Sequence, residues 1–237
     1  MLQSLKGRRV VASISGGKDS AAMSLYLQEQ GIPHDRVHLL TGWDAAATLE
    51  YIRGPLTQVL GPITELRADL LMPELLRKKG MFPSRVRRWC TEELKVKPLA
   101  RYLRQLMDAG QDVVSAVGVR AAESSARANL PALEWSNALD CEVWRPLLRW
   151  SEQEVIDIHK RHGLKPNPLY LMGAQRVGCW PCIMARRAEV RLVADTDPGK
   201  IDGKPGRKTT AAVVAFQRAY GLRTDGKAGK LTLEAID

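Results

Sequence analysis

The stretch Ser13-Ile14-Ser15-Gly16-Gly17-Lys18-Asp19-Ser20 constrains the fold of this chain more than any other. It follows the apolar run Val10-Val11-Ala12 and leads into Ala21-Ala22-Met23-Ser24-Leu25-Tyr26-Leu27, whose apolar positions fit a buried helix face. Strand, glycine turn and helix start are the expected order. Two adjacent glycines let the backbone approach a ligand closely, and Ser15 and Ser20 offer hydroxyls. A helix N-terminus presents N–H groups to an anion, so a phosphate suits this turn. The common phosphate loop, Gly-x-x-x-x-Gly-Lys-Ser/Thr, cannot be laid over it.

Further along, Val37 to Leu40 and Ile63 to Leu66 are expected strands, with a helix from Thr48 through Leu60 between them. Leu94 to Ala109 fits an amphipathic helix and Val113 to Gly118 a buried strand. This alternation predicts an α/β fold with a doubly wound, mostly parallel sheet, whose ligands sit at the carboxyl ends of the strands. Ser151, with Glu154 at the capping-box position, is expected to start another helix. His159 and His162 on that helix are read as surface residues without a role.

At 237 residues there is room for one substantial domain and a small second one. No apolar stretch reaches membrane-spanning length, and the N-terminus lacks the long apolar core of a signal peptide, so a soluble cytoplasmic protein without membrane contact is expected. The net charge of +10 favours polyanionic ligands, nucleotides at the least. Six basic residues fall within Arg77 to Arg88, which is either a solvated face or a nucleic-acid contact. Four cysteines, Cys90, Cys141, Cys179 and Cys182, argue for metal or redox chemistry rather than a disulfide framework. Arg120 and Arg127, with Glu123, Ser124 and Ser125, follow a strand end and suit an anionic ligand, because guanidinium forks match phosphate or sulfate oxygens; a surface loop is the competing reading.

Ser-Gly-Gly-Lys-Asp-Ser resembles the pyrophosphate loop of the adenine-nucleotide alpha hydrolases, which split ATP between its alpha and beta phosphates. Further blocks follow in the same order: Thr41-Gly42-Trp43, Cys90-Thr91-Glu92-Glu93-Leu94-Lys95, Gly118-Val119-Arg120-x-x-Glu123-Ser124, Trp144-Arg145-Pro146-Leu147, Asn167-Pro168-Leu169-Tyr170 and Gly178-Cys179-x-x-Cys182. Together they resemble the phosphoadenosine-phosphosulfate reductase family over residues 1 to 185.

That resemblance implies an adenine nucleotide, ATP or a relative, held by Ser15, Gly16, Gly17, Lys18, Asp19 and Ser20 with Mg²⁺. Thr41, Gly42, Gly118, Arg120, Glu123 and Arg127 would complete its pocket, and Lys18, Asp19, Lys95 and Arg120 would serve catalysis. In the iron–sulfur branch a Cys-Cys pair and a later Cys-x-x-Cys bind a [4Fe-4S] cluster. Here the first pair reads Trp89-Cys90, so Cys90, Cys179 and Cys182 remain, with Cys141 or an open iron completing the set. Zinc and a metal-free redox site are alternatives. Thioredoxin-dependent members also carry a nucleophilic cysteine in a C-terminal tail, and no cysteine follows Cys182.

Residues 186–237 change character. Asp202-Gly203 and Asp225-Gly226 each lead to a Thr, and Ala211 to Leu222 forms an amphipathic stretch between them. This part resembles the peptidoglycan-binding domain of cell-wall hydrolases, a small all-α module, and a role in docking a protein or nucleic acid is expected for it. Three functions follow from the resemblances. The first is adenylation of a substrate, with sulfur transferred through an iron–sulfur centre onto a nucleic acid, which needs a sulfur donor. The second is reduction of a sulfonucleotide by an external thiol or thiol reductant protein. The third is a non-catalytic nucleotide-binding protein that docks a partner. The assembly state stays open.

Overall fold

The computed structural model describes Leu5, residues 7–179, 181–186, 189 and 190, and six positions further on, 210, 214, 218 and 223–225. Apart from Arg186, Glu189, Val190 and those six positions, the small all-α domain expected from 186 onward lies outside the described residues.

Six strands form one sheet in the order β3-β2-β1-β4-β6-β5. The central strand β1 (Arg9–Ser13) pairs in parallel with β2 (His34–Leu40) on one side and β4 (Val113–Val117) on the other. Val10, Val11 and Ala12 are all buried, as a strand covered on both faces requires. β3 (Thr64–Arg67) extends the parallel sheet beyond β2, and β6 (Cys141–Trp144) extends it beyond β4. β5 (Leu133–Ser136) closes the edge antiparallel to β6. That hairpin is the one part of the sheet the apolar pattern does not announce, because its strands are four residues long and Trp135 is exposed.

Helices cover both faces. Against Val10, Ala12 and Val114 pack α1 (Lys18–Glu29), the helical run that includes Ile52 and Leu56, and α8 (Glu152–Arg161). Against Val11, Val37 and Val113 packs α6 (Lys97–Asp108) through Leu99 and Leu103. Two expected helices carry a widened turn. The first runs from α2 (Ala46–Tyr51) through a π turn at Ile52–Leu56 into α3 (Thr57–Leu60), and Pro55 sits inside the wide turn. Proline offers no N–H to the ladder, and the Thr57 hydroxyl donates 2.7 Å to the Ile52 carbonyl there. The second runs from α5 (Trp89–Thr91) through Glu92–Val96 into α6 and carries Cys90 and Lys95. α4 (Met72–Lys79) precedes it and ends at Gly80, whose φ of +62° closes the helix in the left-handed region. No helix among the described residues is long and apolar enough to cross a membrane.

Candidate functional site

The loop between β1 and α1 lies at the carboxyl end of the central strand, beside the start of the α1 axis. Its amides are met by hydroxyls: Ser15 N–H donates to Ser20 Oγ at 3.1 Å, Gly17 N–H to Ser15 Oγ at 3.4 Å and Lys18 N–H to Tyr170 OH at 3.2 Å. α1 begins without a side-chain cap, so the positive end of its dipole faces the loop. Gly16 has φ +75°, and a Cβ there would lie 2.8 Å from Thr48 Cγ2. Gly118, at the end of β4, has no room for a side chain either, since a Cβ would meet the Asp19 carbonyl at 2.6 Å.

Residues from the far end of the chain hold the loop in place. Asn167 is buried, its amide donating to Gly16 O and Thr48 Oγ1 at 3.2 Å each, while its oxygen caps α9 (Pro168–Leu171) at Leu169 N–H. Tyr170 follows on that helix, and burial pushes its phenol up to about 12, which keeps it neutral. His159 is the first correction to the sequence reading. It is buried, and its Nε2 donates 2.8 Å to the Lys18 carbonyl. Burial lowers its pKa, opposed by the Lys18 carbonyl bond and the Asp19 charge.

A cavity of about 560 Å³ opens over the loop, and Ser15, Gly17, Lys18, Asp19, Ser20, Gly118, Arg120, Glu123 and Arg127 all line it. Asp19 and the buried Arg120 form an ion pair, as do Glu123 and Arg127. Lys18 points its ammonium at Glu152, 3.2 Å away, and over the Tyr170 ring at 5.2 Å. Arg88, Arg176 and Arg186 complete the wall. The lining therefore holds six cations against two carboxylates, both of them already paired.

A second cavity of about 310 Å³ adjoins the first and shares Ser15, Arg88, Arg127, Arg176, Val177 and Met184 with it. Cys90, Cys179 and Cys182 all line this second cavity, with Lys95, Thr41 and Trp43. Burial raises the Cys179 thiol pKa, and the Lys95 charge opposes that rise. Thr41 Oγ1 lies 3.7 Å from Cys179 Sγ, and Met184 N–H donates to Cys182 Sγ at 3.4 Å. Three thiols lining one cavity are the donor chemistry of a soft metal or an iron–sulfur centre. No group of three His, Cys, Asp or Glu among the described residues is arranged to hold a metal ion as it stands.

Cys141 is a correction. It starts β6, at the end of the sheet opposite the loop, and is buried in the cluster of Val11, Leu103 and Val113. An apolar strand position holds it, and it does not line the thiol cavity. Gly16 and Gly42 also line neither cavity; each has a positive φ and no space for a Cβ, at Gly42 because Leu71 Cβ would be 2.8 Å away.

Glu189 went unnoticed in the sequence, because one acid in a mixed segment carries no pattern. It is buried, and its carboxylate accepts from the amides of Gln175, Arg176 and Arg186 at 3.2, 3.0 and 2.7 Å. These bonds close the segment that carries Cys179, Cys182 and Arg176. Arg88 and Arg176 were likewise missed as cavity residues, since each is brought in from a loop.

Two sequence profiles match the chain. The phosphoadenosine phosphosulfate reductase domain covers residues 9–185 and the putative peptidoglycan binding domain residues 192–236. The chain is similar to the uncharacterized 37.8 kDa protein in gpa 5'region of Escherichia phage 186, at 33% identity over 81% of this chain and 72% of that one. It is also similar to the adenosine 5'-phosphosulfate reductase of Allochromatium vinosum, at 32% identity over 74% and 68% of the two chains. Among solved structures, the phosphoadenylyl-sulfate reductase of Candida auris in a phosphate complex shares the fold, with a TM-score of 0.57 and 19% identity over 73% of this chain and 82% of that one.

Proposed function

From the premise that this chain belongs to the phosphoadenosine phosphosulfate reductase family, we propose that it is an enzyme that binds ATP or a related adenine nucleotide on Ser15 to Ser20. It activates an acceptor there and delivers sulfur from the thiol cavity. The observation that carries this reading is the wall shared by the two cavities, Ser15, Arg88, Arg127, Arg176, Val177 and Met184. An activated group on the loop is thereby next to Cys90, Cys179 and Cys182.

The loop amides and the α1 terminus bind phosphate oxygens, and the Asp19–Arg120 pair fixes the floor beneath them. An acceptor oxygen attacks the alpha phosphorus, the bond to the beta-phosphate oxygen breaks, and pyrophosphate leaves. Arg88, Arg176 and Arg186 stabilise the charge that develops, Arg127 being paired with Glu123, and Mg²⁺ accompanies the triphosphate. Cys90, Cys179 and Cys182 would hold an iron–sulfur centre, or zinc in its place; when bound, an iron–sulfur centre supplies a site at which sulfide can be kept. Lys95 sets the charge beside Cys179. The acceptor on this reading is a nucleic acid, and a sulfur donor protein is a partner. Docking of a partner is assigned on this reading to residues 186–237.

Incubation with alpha-labelled ATP tests the proposal: labelled AMP or an adenylylated acceptor, with pyrophosphate, is the expected product. Binding without turnover would reduce the chain to a nucleotide-dependent docking protein. A second reading, reduction of a sulfonucleotide, is favoured by the same three thiols, since a thiolate can take up the sulfur there when an external thiol supplies the electrons. Sulfite released from labelled adenylyl sulfate in the presence of thioredoxin would establish it in place of the first.

A further inference from the structure

Between α4 and α5 the chain projects a loop, Gly80 to Arg88, that is exposed except at Pro83 and Ser84 and reaches the cavities only through Arg88. Pro83 is buried at its base, and Ser84 and Arg87 close it, with Ser84 N–H donating to Arg87 O and Arg87 N–H to Ser84 Oγ, both at 3.1 Å. The tip is apolar and in water: Val86 is 92% exposed, Phe82 44% and Met81 40%. Lys78, Arg85 and Arg87 are exposed around it, whereas Lys79 is tied to Glu93 at 3.0 Å and to the Trp89 ring. At its end Arg88 lines both cavities, and its guanidinium donates to Thr91 Oγ1 at 3.3 Å.

An exposed aromatic flanked by guanidinium groups, running into a positive cavity, is suited to a flexible polyanion with flat apolar faces. We infer that Gly80 to Arg88 is a guide for single-stranded nucleic acid, with phosphates on Arg85, Arg87 and Lys78 and one base stacked on Phe82. Two features select a single strand over a duplex. Stacking on Phe82 needs an unpaired base face. A thiol cavity of about 310 Å³ has room for one base and not for a helix, and enzymes that act on a base take it out of the stack. The inference rests on the reading that the acceptor is a nucleic acid.

The test is fluorescence anisotropy of the full chain with labelled 20-nucleotide DNA and RNA, single- and double-stranded, across a salt series. Arg85→Ala/Arg87→Ala, Phe82→Ala and wild type are compared, and pyrophosphate release from ATP is measured with and without oligonucleotide on the same preparations. The double variant is expected to weaken single-strand binding tenfold or more, by roughly that order, and to reduce the slope of log K against log salt by about 1.4, from ~0.7 per lost phosphate contact. Phe82→Ala is expected to weaken binding about fivefold or more at an unchanged slope. Equal binding by wild type and both variants, or preference for the duplex, overturns the guide. Wild-type ATP cleavage with no oligonucleotide binding also overturns it, and the nucleic-acid acceptor with it, while leaving ATP cleavage on the loop intact. Loop-dependent binding by a protein that never cleaves ATP sustains the guide and removes adenylation.

Discussion

At the scale of single residues, the loop tolerates little. Gly118 has an ordinary negative φ, so its need for glycine comes from contact: a Cβ would meet Asp19 O at 2.6 Å and Ser20 Cα at 2.8 Å, both backbone atoms. Gly118→Ala is therefore expected to cost about 1–3 kcal/mol, seen as a melting temperature lowered by roughly 3–10 °C, together with weaker ATP binding in calorimetry. A full-affinity, full-stability alanine variant would show that the loop can retreat. His159 gives a second prediction. Its pKa is lowered by burial below the ordinary 6.5, so the unfolded chain binds more protons than the folded one in acid. Its contribution is complete above about pH 7 and is lost as pH falls through 6.5 toward the folded value. The unfolding free energy of wild type should drop between about pH 7 and 5 more steeply than that of His159→Phe, with His34, also lowered by burial, adding its share in both. Sequence spacing places His159 on a helix, but cannot tell which neighbour that helix face meets. The loop motif itself was legible because glycine, serine and lysine in that order have few other uses after a buried strand.

Elements explain why the loop stays where it is. β1 and α1 build it, yet α9, some 150 residues later, closes it through Asn167, which bonds Gly16 O and Thr48 Oγ1 and caps its own helix. Replacing Asn167 by Ala leaves the buried Gly16 carbonyl and the Leu169 amide without these partners. The expected loss is about 1–3 kcal/mol in urea unfolding, with a larger proportional loss of nucleotide affinity, because the loop rather than the core is released. If affinity falls no further than stability predicts, Asn167 only caps α9. The blocks Asn167 to Tyr170 and Gly178 to Cys182 were visible in the sequence; their contact with the loop was not, since no periodicity records a pairing across such a distance. The same limit hid Cys141. Four cysteines count alike in a composition, and only the β6 register puts Cys141 at the opposite end of the sheet from Cys90, Cys179 and Cys182. The π turns at Ile52–Leu56 and Glu92–Val96 left a weaker trace, Pro55 inside the first and Pro98 just past the second, which a helix-period pattern passes over.

Across the whole molecule, four distant segments meet at the carboxyl edge of a parallel sheet: the first loop, the turn before α5, the strand end after β4 and the segment after α9. Each brings cations. Within the loop cavity the Asp19–Arg120 and Glu123–Arg127 pairs neutralise one another and Lys18 faces Glu152, so Arg88, Arg176 and Arg186 set the remaining field. Such a field acts through water at the rim, where it is screened over about 10 Å at 0.1 M salt, and not through the dry core. Nucleotide affinity is therefore expected to fall as salt rises from about 50 to 300 mM, and to fall less steeply in Arg88→Ala and Arg176→Ala, measured by calorimetry with ATP. The paired arginines behave differently. Arg120→Ala strands the Asp19 carboxylate, which is largely shielded from water, and is expected to cost about 3–5 kcal/mol of stability as well as binding. A rim variant that loses affinity but keeps the wild-type salt slope would mean that Arg88 and Arg176 act by shape. The net charge of +10 would then be a property of the surface at large and not of the mouth through which the anion enters.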